Sequence, residues 1–393
     1  MRFNLWEDCN RVPLTELLSF IVDNRGKTVP TAPSGHKLIA TNCVTNNTLF
    51  PVYEKIRYLS EETYQTWFRA HPIPGDILFV NKGTPGRVCL VPDPVDFCIA
   101  QDMIALRADE SKIYPKYLFA VLRSREIQQQ IYNTNVGDVI PHFKKQFLNQ
   151  LLIPIPERSI QESIGDLYYV LSLKAERNKK INDNLQQQAA ALFSSLYDRT
   201  NTEVRFTDLI QILGGGTPKT GENTYWNGNI AFFTPKDVGT PYTLSTEKTI
   251  TEEGLSHCNS RLYPVNTVFV TARGTVGKVG MSGVPMAMNQ SCYALVGKET
   301  HQLLVYFYTL KAVDRLKHKA SGAVFDAITT RDFESEQIMK LSDDDAKAFL
   351  CIAEPMFQKV LNNCIENLRL STLRDSLLPK LMSGEVDVSA VQL

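Results

Sequence analysis

The chain has 393 residues, of which 43% are hydrophobic and 21% charged, a composition that predicts a globular protein of two or three domains. Its 42 Lys and Arg balance 42 Asp and Glu, so no overall basic field indicates nucleic acid, and any such surface has to come from uneven placement of charge. No apolar run reaches the length of a membrane span, and Glu7 and Asp8 stand where a signal peptide would become apolar. A cytoplasmic location is therefore expected.

Neither the cysteines nor the histidines form a pattern of known chemistry. The eight cysteines include no C-x-x-C pair and no Cys/His group at zinc spacing, so no disulfide and no metal site is expected. The six histidines include no H-x-x-x-H motif and no recognisable catalytic triad. Loop and surface roles are the simpler interpretation of each histidine.

The most informative feature is an internal repeat, because segments of the first half return in the same order in the second. The matched pairs in chain order are VPLTELL 12–18 with VRFTDLI 204–210, LIATNCV 38–44 with FFTPKDV 232–238, PGDILFVNKGTPGRV 74–88 with PVNTVFVTARGTVGKV 264–279, IAQDMIALR around Gln101 with MNQSCYALV around Gln290, and the segments around Gly137 and Gly322. The third pair aligns Val80 with Val270 and Gly83 with Gly274. We expect the two halves to fold alike.

Each half ends in a long segment whose apolar residues recur at spacings of three and four, the pattern of a coiled-coil seam. These segments predict helices over 157–199 and 342–384. A helix of about 40 residues is about 60 Å long and needs a partner of similar length, so we expect the two helices to pair in antiparallel fashion. Asn178, Asn182 and Asn184 either fix the register of this pair, contact a partner protein or face solvent.

The pattern predicts an α+β fold with two similar mixed α/β domains, separated by two long antiparallel coiled-coil helices and related by a pseudo-two-fold axis. Pro355 lies early in the second helix and is expected to kink that helix or to delay its start. The expected segments are a first domain 1–156, a first helix 157–199, a second domain 200–341, a second helix 342–384 and a C-terminal tail 385–393.

Loops that combine glycine with hydroxyl and basic side chains recur at equivalent places in both halves. Glycine lets a backbone approach a phosphate closely, and Lys or Arg supplies charge and hydrogen bonds to phosphates or bases. Two similar units held apart by helices suit a protein that reads two half-sites on a duplex, although any one of these loops is equally well an ordinary solvated turn. The candidate DNA-binding residues are Lys27, Lys82, Thr84, Arg87 and Gln101 in the first half and Thr217, Lys219, Tyr225, Trp226, Lys236, Arg273, Thr275, Lys278 and Gln290 in the second.

Three stretches make the chain similar to the specificity subunits of type I restriction-modification systems. Residues 214–238, GGGTPKTGENTYWNGNIAFFTPKDV, resemble the signature that opens a target recognition domain in that family. Residues 264–280 resemble its strand and glycine turn, and residues 367–388, NLRLSTLRDSLLPKLMSGEVDV, resemble the end of its second central helix. The first half lacks the Tyr-Trp pair, so contacts implied for the second domain do not carry over to the first.

This resemblance implies a non-catalytic subunit whose two target recognition domains read the halves of an asymmetric, bipartite DNA site. Its helices would set the gap between the half-sites and dock two methyltransferase subunits, which bind S-adenosylmethionine and methylate an adenine flipped out of the stack. Restriction subunits would add ATP-driven translocation and cleavage. No cofactor is expected in this chain itself.

The sequence lacks the motifs that those enzymatic activities need. No Asn-Pro-Pro-aromatic or Asp-Pro-Pro-aromatic motif is found, and PVDF at 94–97 is no substitute. A Walker loop fails because Val279 follows Lys278 and Ala272 stands at the first glycine position. The main prediction is a DNA-recognition subunit, and the alternative is a helical scaffold that binds no DNA. The basic glycine loops in both halves favour the first, since a scaffold does not require them.

Overall fold

The computed structural model describes residues 4–24, 28–134, 141–239, 241–319 and 327–387. Contacts divide the chain into two compact units, one of residues 1–177 with 367–393 and one of residues 178–366. The division falls inside two helices of 40 residues each, so each unit contains a part of both. Among the described residues, no helix is long and apolar enough to span a membrane.

The first unit is built from short strands and helices that precede the first long helix. Its elements are α1 (Leu5–Asp8), β1 (Arg11–Pro13), β2 (Leu18–Val22), β3 (His36–Ile39), β4 (Arg57–Leu59), α2 (Glu61–Thr66), β5 (Ile77–Val80), β6 (Val88–Leu90), β7 (Phe97–Ile99), β8 (Met103–Ala108), α3 (Pro115–Leu122), α4 (Arg125–Thr134), β9 (Leu152–Pro154) and the start of α5 (Arg158–Tyr197). The sheets have the orders β2-β8-β5-β6, β4-β3-β7 and β1-β9. β5 is buried along its whole length, which is why it reads as a continuous apolar run rather than an alternating one.

The second unit repeats this order of elements. They are β10 (Glu203–Arg205), α6 (Phe206–Leu209), β11 (Ile210–Gly214), β12 (Trp226–Phe233), β13 (Tyr242–Thr243), β14 (Lys248–Ile250), α7 (Glu252–Ser256), β15 (Val268–Thr271), β16 (Val279–Ser282), β17 (Met286–Met288), β18 (Cys292–Gly297), α8 (Gln302–Lys319), α9 (Thr330–Ser335), β19 (Gln337–Met339) and the start of α10 (Asp343–Met382). The sheets have the orders β11-β18-β15-β16-β13, β14-β12-β17 and β10-β19. Each sheet of the first unit thus has a counterpart in the second.

Strand register confirms that the two domains are copies of one fold. β3 pairs with β4 in antiparallel and with β7 in parallel fashion, and β12 pairs with β14 and β17 in the same two ways. Leu38 and Phe232 occupy the same position in these sheets, as the sequence alignment predicts. The glycines of the repeat predicted around Gly137 and Gly322 lie outside the described residues. The residues that follow keep the predicted alignment, since His142 pairs with Lys82 and Ala327 pairs with Arg273.

The predicted alignment of Val80 with Val270 is wrong by one residue. The amide of Gly86 donates to the carbonyl of Val80 at 2.9 Å, and the amide of Gly277 donates to the carbonyl of Thr271 at 2.9 Å. Val80 therefore corresponds to Thr271. Apolar and β-branched residues suit a buried strand in either register, so residue type alone could not decide between the two alignments.

The two long helices pair in opposite directions within each unit, as predicted. In the first unit, Leu167 and Tyr168 of α5 share a core with Leu378 and Leu381 of α10. In the second unit, the ring of Phe193 of α5 meets that of Phe349 of α10, with ring centroids 5.4 Å apart. The start of each helix therefore packs near the end of the other.

Of the two effects expected of Pro355, a delayed start of the second long helix is excluded, because α10 is helical from Asp343 through Pro355. The hydroxyl of Ser342 accepts a hydrogen bond from the amide of Asp345 at 3.1 Å, so the helix has a capped N-terminus before the proline. Pro355 is exposed, and water can satisfy the backbone carbonyl of Cys351 that loses its amide donor.

A buried polar layer joins the two helices in the second unit. The side-chain amide of Asn178 donates to Glu366 Oε2 at 2.7 Å, and that of Asn363 donates to Asn182 Oδ1 at 2.8 Å. Asn184 is exposed instead and accepts a hydrogen bond from Gln188 of its own helix. Two of the three asparagines singled out in α5 therefore face the partner helix.

Candidate nucleic-acid interface

Four loops of the second unit meet at the ends of its strands. They comprise residues 214–219 after β11, 234–237 after β12, 273–278 after β15 and 289–291 after β17. The amide of Gly216 donates to the carbonyl of Met288 at 3.1 Å, and the amide of Arg273 donates to that of Ser291 at 3.3 Å. We call these four segments the second loop cluster, since their hydrogen bonds make them one surface.

Glycine is required where these loops approach one another. A Cβ atom on Gly215 would lie 2.3 Å from the carbonyl oxygen of Asn289, whereas one on Gly214 would meet nothing within 4 Å. Gly274 and Gly277 have φ values of +82° and +75°, which side chains with a Cβ rarely adopt. The glycines noted in the sequence therefore have specific structural roles.

The basic side chains of the second loop cluster are open to solvent. Lys219, Arg273 and Lys278 are exposed, and among the described residues none of them has an ion pair. Lys236 is 81% exposed, with its Nζ 3.8 Å from Glu247 Oε2, a separation at which a surface pair contributes little. All four cations remain available to a polyanion.

Two polar side chains link the outer loops of this cluster. The hydroxyl of Thr217 donates to Gln290 Oε1, and the hydroxyl of Thr275 donates to the carbonyl of Pro235 at 3.1 Å. A cavity of about 400 Å³ opens beside Pro235 and Thr275. In the described part of the chain, the Nε2 group of Gln290 has no partner. An exposed carboxamide NH₂ is a donor of the kind that reads base edges.

Tyr225 and Trp226 pack against the protein. The indole nitrogen of Trp226 donates to the carbonyl of Lys219 at 3.1 Å, and its ring meets Phe232 edge-on at 5.5 Å. Tyr225 stacks on His257 with ring centroids 4.9 Å apart. Trp226 thus fixes the backbone of the loop that carries Lys219. Contact of either ring with DNA stays a prediction.

Sequence reasoning missed the contribution of Asp237 to this site. Its carboxylate accepts hydrogen bonds from the amide of Thr234 at 2.8 Å, from the Thr234 hydroxyl at 2.6 Å and from the amide of Glu247 at 2.8 Å. The Thr-Pro-Lys-Asp stretch drew attention for its lysine. An aspartate three residues after a threonine is also the signal of a turn closed by side-chain hydrogen bonds.

The first unit builds the same scaffold for its own loop. The amide of Lys82 donates to the carbonyl of Asp102 at 3.3 Å, which places Lys82 where Arg273 lies in the second unit. Arg87 corresponds to Lys278 in the same turn, and both are exposed. We call residues 81–87 with 101–102 the first loop cluster. The recurrence of the loop in the sequence thus reflects a repeated structure.

Side chains of the first loop cluster differ from those of the second. Lys82 Nζ lies 3.9 Å from Asp102 Oδ1, and a serine occupies the equivalent place in the second unit. Thr84 and Gln101 are half-buried, and Gln101 Oε1 is buried without a hydrogen-bond partner among the described residues. Lys27 lies outside the described residues.

Asn24, in the loop that follows β2, is a structural residue. It is almost fully buried, and its side-chain amide donates to the carbonyls of Ala70 at 2.8 Å and Ile99 at 3.3 Å. Its side-chain oxygen accepts from the amide of Arg69 at 2.9 Å. The loop after β2 is therefore tied to the domain by a side chain, whereas the loop after β11 uses the backbone of Gly216.

Two cysteine thiols near these loops are buried. Burial raises the pKa of the Cys98 and Cys292 thiols to about 12, so both are neutral near pH 7 and poor nucleophiles. Within the described ranges, no three His, Cys, Asp or Glu side chains are grouped as metal ligands. The exposed groups of the two loop clusters are mostly cations, amides and hydroxyls, with the Asp102 carboxylate beside Lys82 in the first cluster.

The family model of the type I restriction modification DNA specificity domain matches residues 23–187 and 199–340. The chain therefore belongs to the family of type I restriction-modification specificity subunits, and its function is the recognition of a DNA sequence. The two matches cover the two copies of the repeat, which agrees with two recognition domains in one polypeptide.

Similar proteins support this assignment. The HindI specificity subunit of Haemophilus influenzae is 22% identical over 398 residues, covering 79% of this chain and 86% of that protein. The EcoR124I/EcoR124II specificity subunit of Escherichia coli is 31% identical over 184 residues, covering 42% of this chain and 45% of that protein. The S subunit structure from M. genitalium has a TM-score of 0.61 at 17% identity and covers 95% of this chain and 96% of its own. That structure shows that the fold is shared.

Proposed function

We propose that the two loop clusters read the two halves of a bipartite DNA site. The observation that supports this most directly is the repeated hydrogen-bonded turn that carries Lys82 in one unit and Arg273 in the other. A turn of fixed backbone with an exposed cation can present that cation to a phosphate or to the edge of a guanine.

The half-sites should differ in sequence, because the two clusters differ in side chains. The second cluster has the Gly215 loop, Lys219 and an exposed Gln290 amide. The first has a half-buried Gln101 and a carboxylate, Asp102, beside Lys82. Different donors and acceptors on a common scaffold read different bases, which makes the combined site asymmetric.

The long helices are the proposed docking surfaces for two methyltransferase subunits. In the first unit, Val170, Leu368 and Leu373 are 46 to 47% exposed, and in the second, Ile181 and Ile352 are 44 and 49% exposed. Apolar side chains on the outer faces of paired helices offer contact area to further helices. The chain itself would be non-catalytic, with S-adenosylmethionine bound by the methyltransferases and ATP-driven cleavage performed by restriction subunits.

Two neighbouring glycines give a sharp test of the reading function. Gly215→Ala would place a methyl group 2.3 Å from a backbone oxygen, whereas Gly214→Ala would meet nothing within 4 Å. The complex with its methyltransferase should therefore lose recognition of one half-site in the Gly215→Ala variant and keep it in Gly214→Ala. Binding is measured on the recognised duplex and on duplexes altered in either half-site.

Three results would reject the proposal. The first is a parent complex that prefers no duplex over random DNA. The second is a Gly215→Ala complex that binds every duplex as the parent does. The third is a Gly215→Ala complex that loses discrimination equally at both half-sites. Thermal melting of both variants shows whether a loss of recognition comes from unfolding of the domain.

A further inference from the structure

The second recognition domain has a basic flank that the first lacks. Lys317 of α8 lies against the turn of the second loop cluster, with its Cε 2.6 Å and its Nζ 3.3 Å from the position that a Cβ would take on Gly277. Its ammonium group is therefore beside the turn that carries Arg273 and Lys278. A surface that begins on the loops continues onto the helix.

Lys311 extends this flank along α8, about one and two-thirds helical turns before Lys317. Its Nζ lies 5.1 Å from the ring centre of Tyr197, and both Lys311 and Lys317 line a cavity of about 400 Å³ between α8 and the end of α5. Asp314 is the carboxylate that lines the same cavity. Two lysines and one acidic group thus line this cavity, which reaches Gly277 in the turn that carries Arg273 and Lys278.

Two other cations of α8 are held by ion pairs to one buried carboxylate, that of Glu336. Arg315 Nε lies 3.4 Å from Glu336 Oε1, and Lys319 Nζ contacts Glu336 Oε2. Lys317 has no ion pair among the residues that the structure describes. Clustered cations without matching carboxylates repel one another and are favourable beside a polyanion.

The corresponding helix of the first domain, α4, has no net charge. A Cβ on Gly86 would meet Gln128 Oε1 of α4 at 3.0 Å, and Gln128 Nε2 donates to the carbonyls of Gly86 and Leu122 at 2.9 and 2.7 Å. The only charged residues of α4, REIQQQIYNT, are Arg125 and Glu126, whose charges cancel. The two domains thus share a turn and differ in the charge of the helix beside it.

We propose that Lys317 and Lys311 of the second domain bind DNA phosphates adjoining its half-site, and that the first domain has no equivalent contact. This rests on the proposed function, since it places DNA along the second loop cluster. The two domains would then differ in their electrostatic contribution to DNA binding. The second domain contributes more of the salt-dependent, sequence-independent affinity, and the first depends more on its base contacts.

The test is the salt dependence of binding by the methyltransferase complex. Each phosphate contact contributes about 0.9 to the slope of log affinity against log salt, so Lys317→Gln should lower that slope by about 0.9 and Lys311→Gln/Lys317→Gln by about twice as much. When salt is raised from 50 to 200 mM, the affinity of the parent should fall about 3.5-fold more than that of a variant with one lysine replaced. The loss should be the same on the recognised duplex and on random DNA.

Lys298→Gln is the matched control. Lys298 is an exposed lysine of the same domain, but it follows the far end of β18 and donates to the carbonyl of Thr207 at 2.7 Å. Its removal should leave the slope unchanged. Glutamine keeps most of the aliphatic stem at each position, and equal melting temperatures verify that the domain is intact.

An unchanged slope in the double variant, or a loss confined to the recognised duplex, overturns the inference. So does an equal fall in slope with Lys298→Gln, because the effect would then follow total charge. A parent complex that prefers no duplex rejects the proposed function instead, so the two failures are distinguishable.

Discussion

The buried amide pair between the long helices gives a prediction whose size and sign follow from the structure. Asn182 and Asn363 are 5% and 1% exposed and share one hydrogen bond of 2.8 Å. Asn363 Oδ1 has no hydrogen-bond partner among the described residues. Asn182→Ala would therefore leave both polar atoms of Asn363 buried and unpaired, which destabilises by about 1 to 3 kcal/mol. Asn363→Ala removes both the side-chain NH₂ donor and the unpaired Oδ1 of Asn363. The loss of stability should therefore be smaller than for Asn182→Ala.

The double variant Asn182→Leu/Asn363→Leu is the decisive member of the series. Replacing both partners of a buried polar pair by apolar groups of similar size is often neutral or stabilising. We expect its melting temperature to equal or exceed that of the parent, while Asn182→Ala melts about 2 to 12 °C lower, at about 2 to 4 °C per kcal/mol for a unit of this size. Scanning calorimetry of the purified chain measures both.

Asn184→Ala is the control for this series, because Asn184 is exposed on the same helix and its change should stay within about 0.5 kcal/mol. Equal melting temperatures for Asn182→Ala and Asn184→Ala would refute the reasoning. A double leucine variant as unstable as Asn182→Ala would refute it as well, since the pair would then contribute something that apolar packing cannot replace.

Two further predictions concern DNA reading. If Arg273 contacts a guanine, Arg273→Ala should weaken binding by about 1 to 3 kcal/mol and relax preference at a single base pair; a uniform loss across all duplexes assigns it to a phosphate instead. The contacts of Asn182 and Asn178 set a register that puts Gln186 level with Gln358. Inserting four residues after Gln186 in α5 and four after Gln358 in α10 lengthens both helices by about 6 Å. This equals nearly two base pairs of DNA at about 3.4 Å each. Methylated sites should then show a wider gap between unchanged half-sites, and retention of the original gap would count against the helices as spacers.

Much of the fold was predictable because the sequence contains an internal repeat. Two copies of a glycine turn and two helical periodicities define two domains and two helices without any long-range information. The alignment of Val80 with Val270 failed because consecutive apolar residues fit a buried strand in either register. Pro355 was expected to kink the second helix or to delay its start, and it does not delay the start because it is exposed and lies within a helix whose N-terminus is already capped.

The candidate site was predictable only in part. Lys82 and Arg273 were found because they follow the same apolar strand and lie in the same turn. The packing role of Trp226, the turn closed by Asp237 and the approach of Lys317 to Gly277 depend on residues distant in sequence. Such contacts arise from tertiary packing and leave no local pattern to read.

The central claim is that the two domains of this chain read a divided DNA site, and genome-wide profiling of adenine methylation tests it most directly. Cells with the methyltransferase and the chain should methylate a motif of two unlike half-sites separated by a fixed gap of unspecified bases. The motif should vanish when the chain is removed. Methylation of one uninterrupted motif, or the same methylation with and without the chain, would contradict the account.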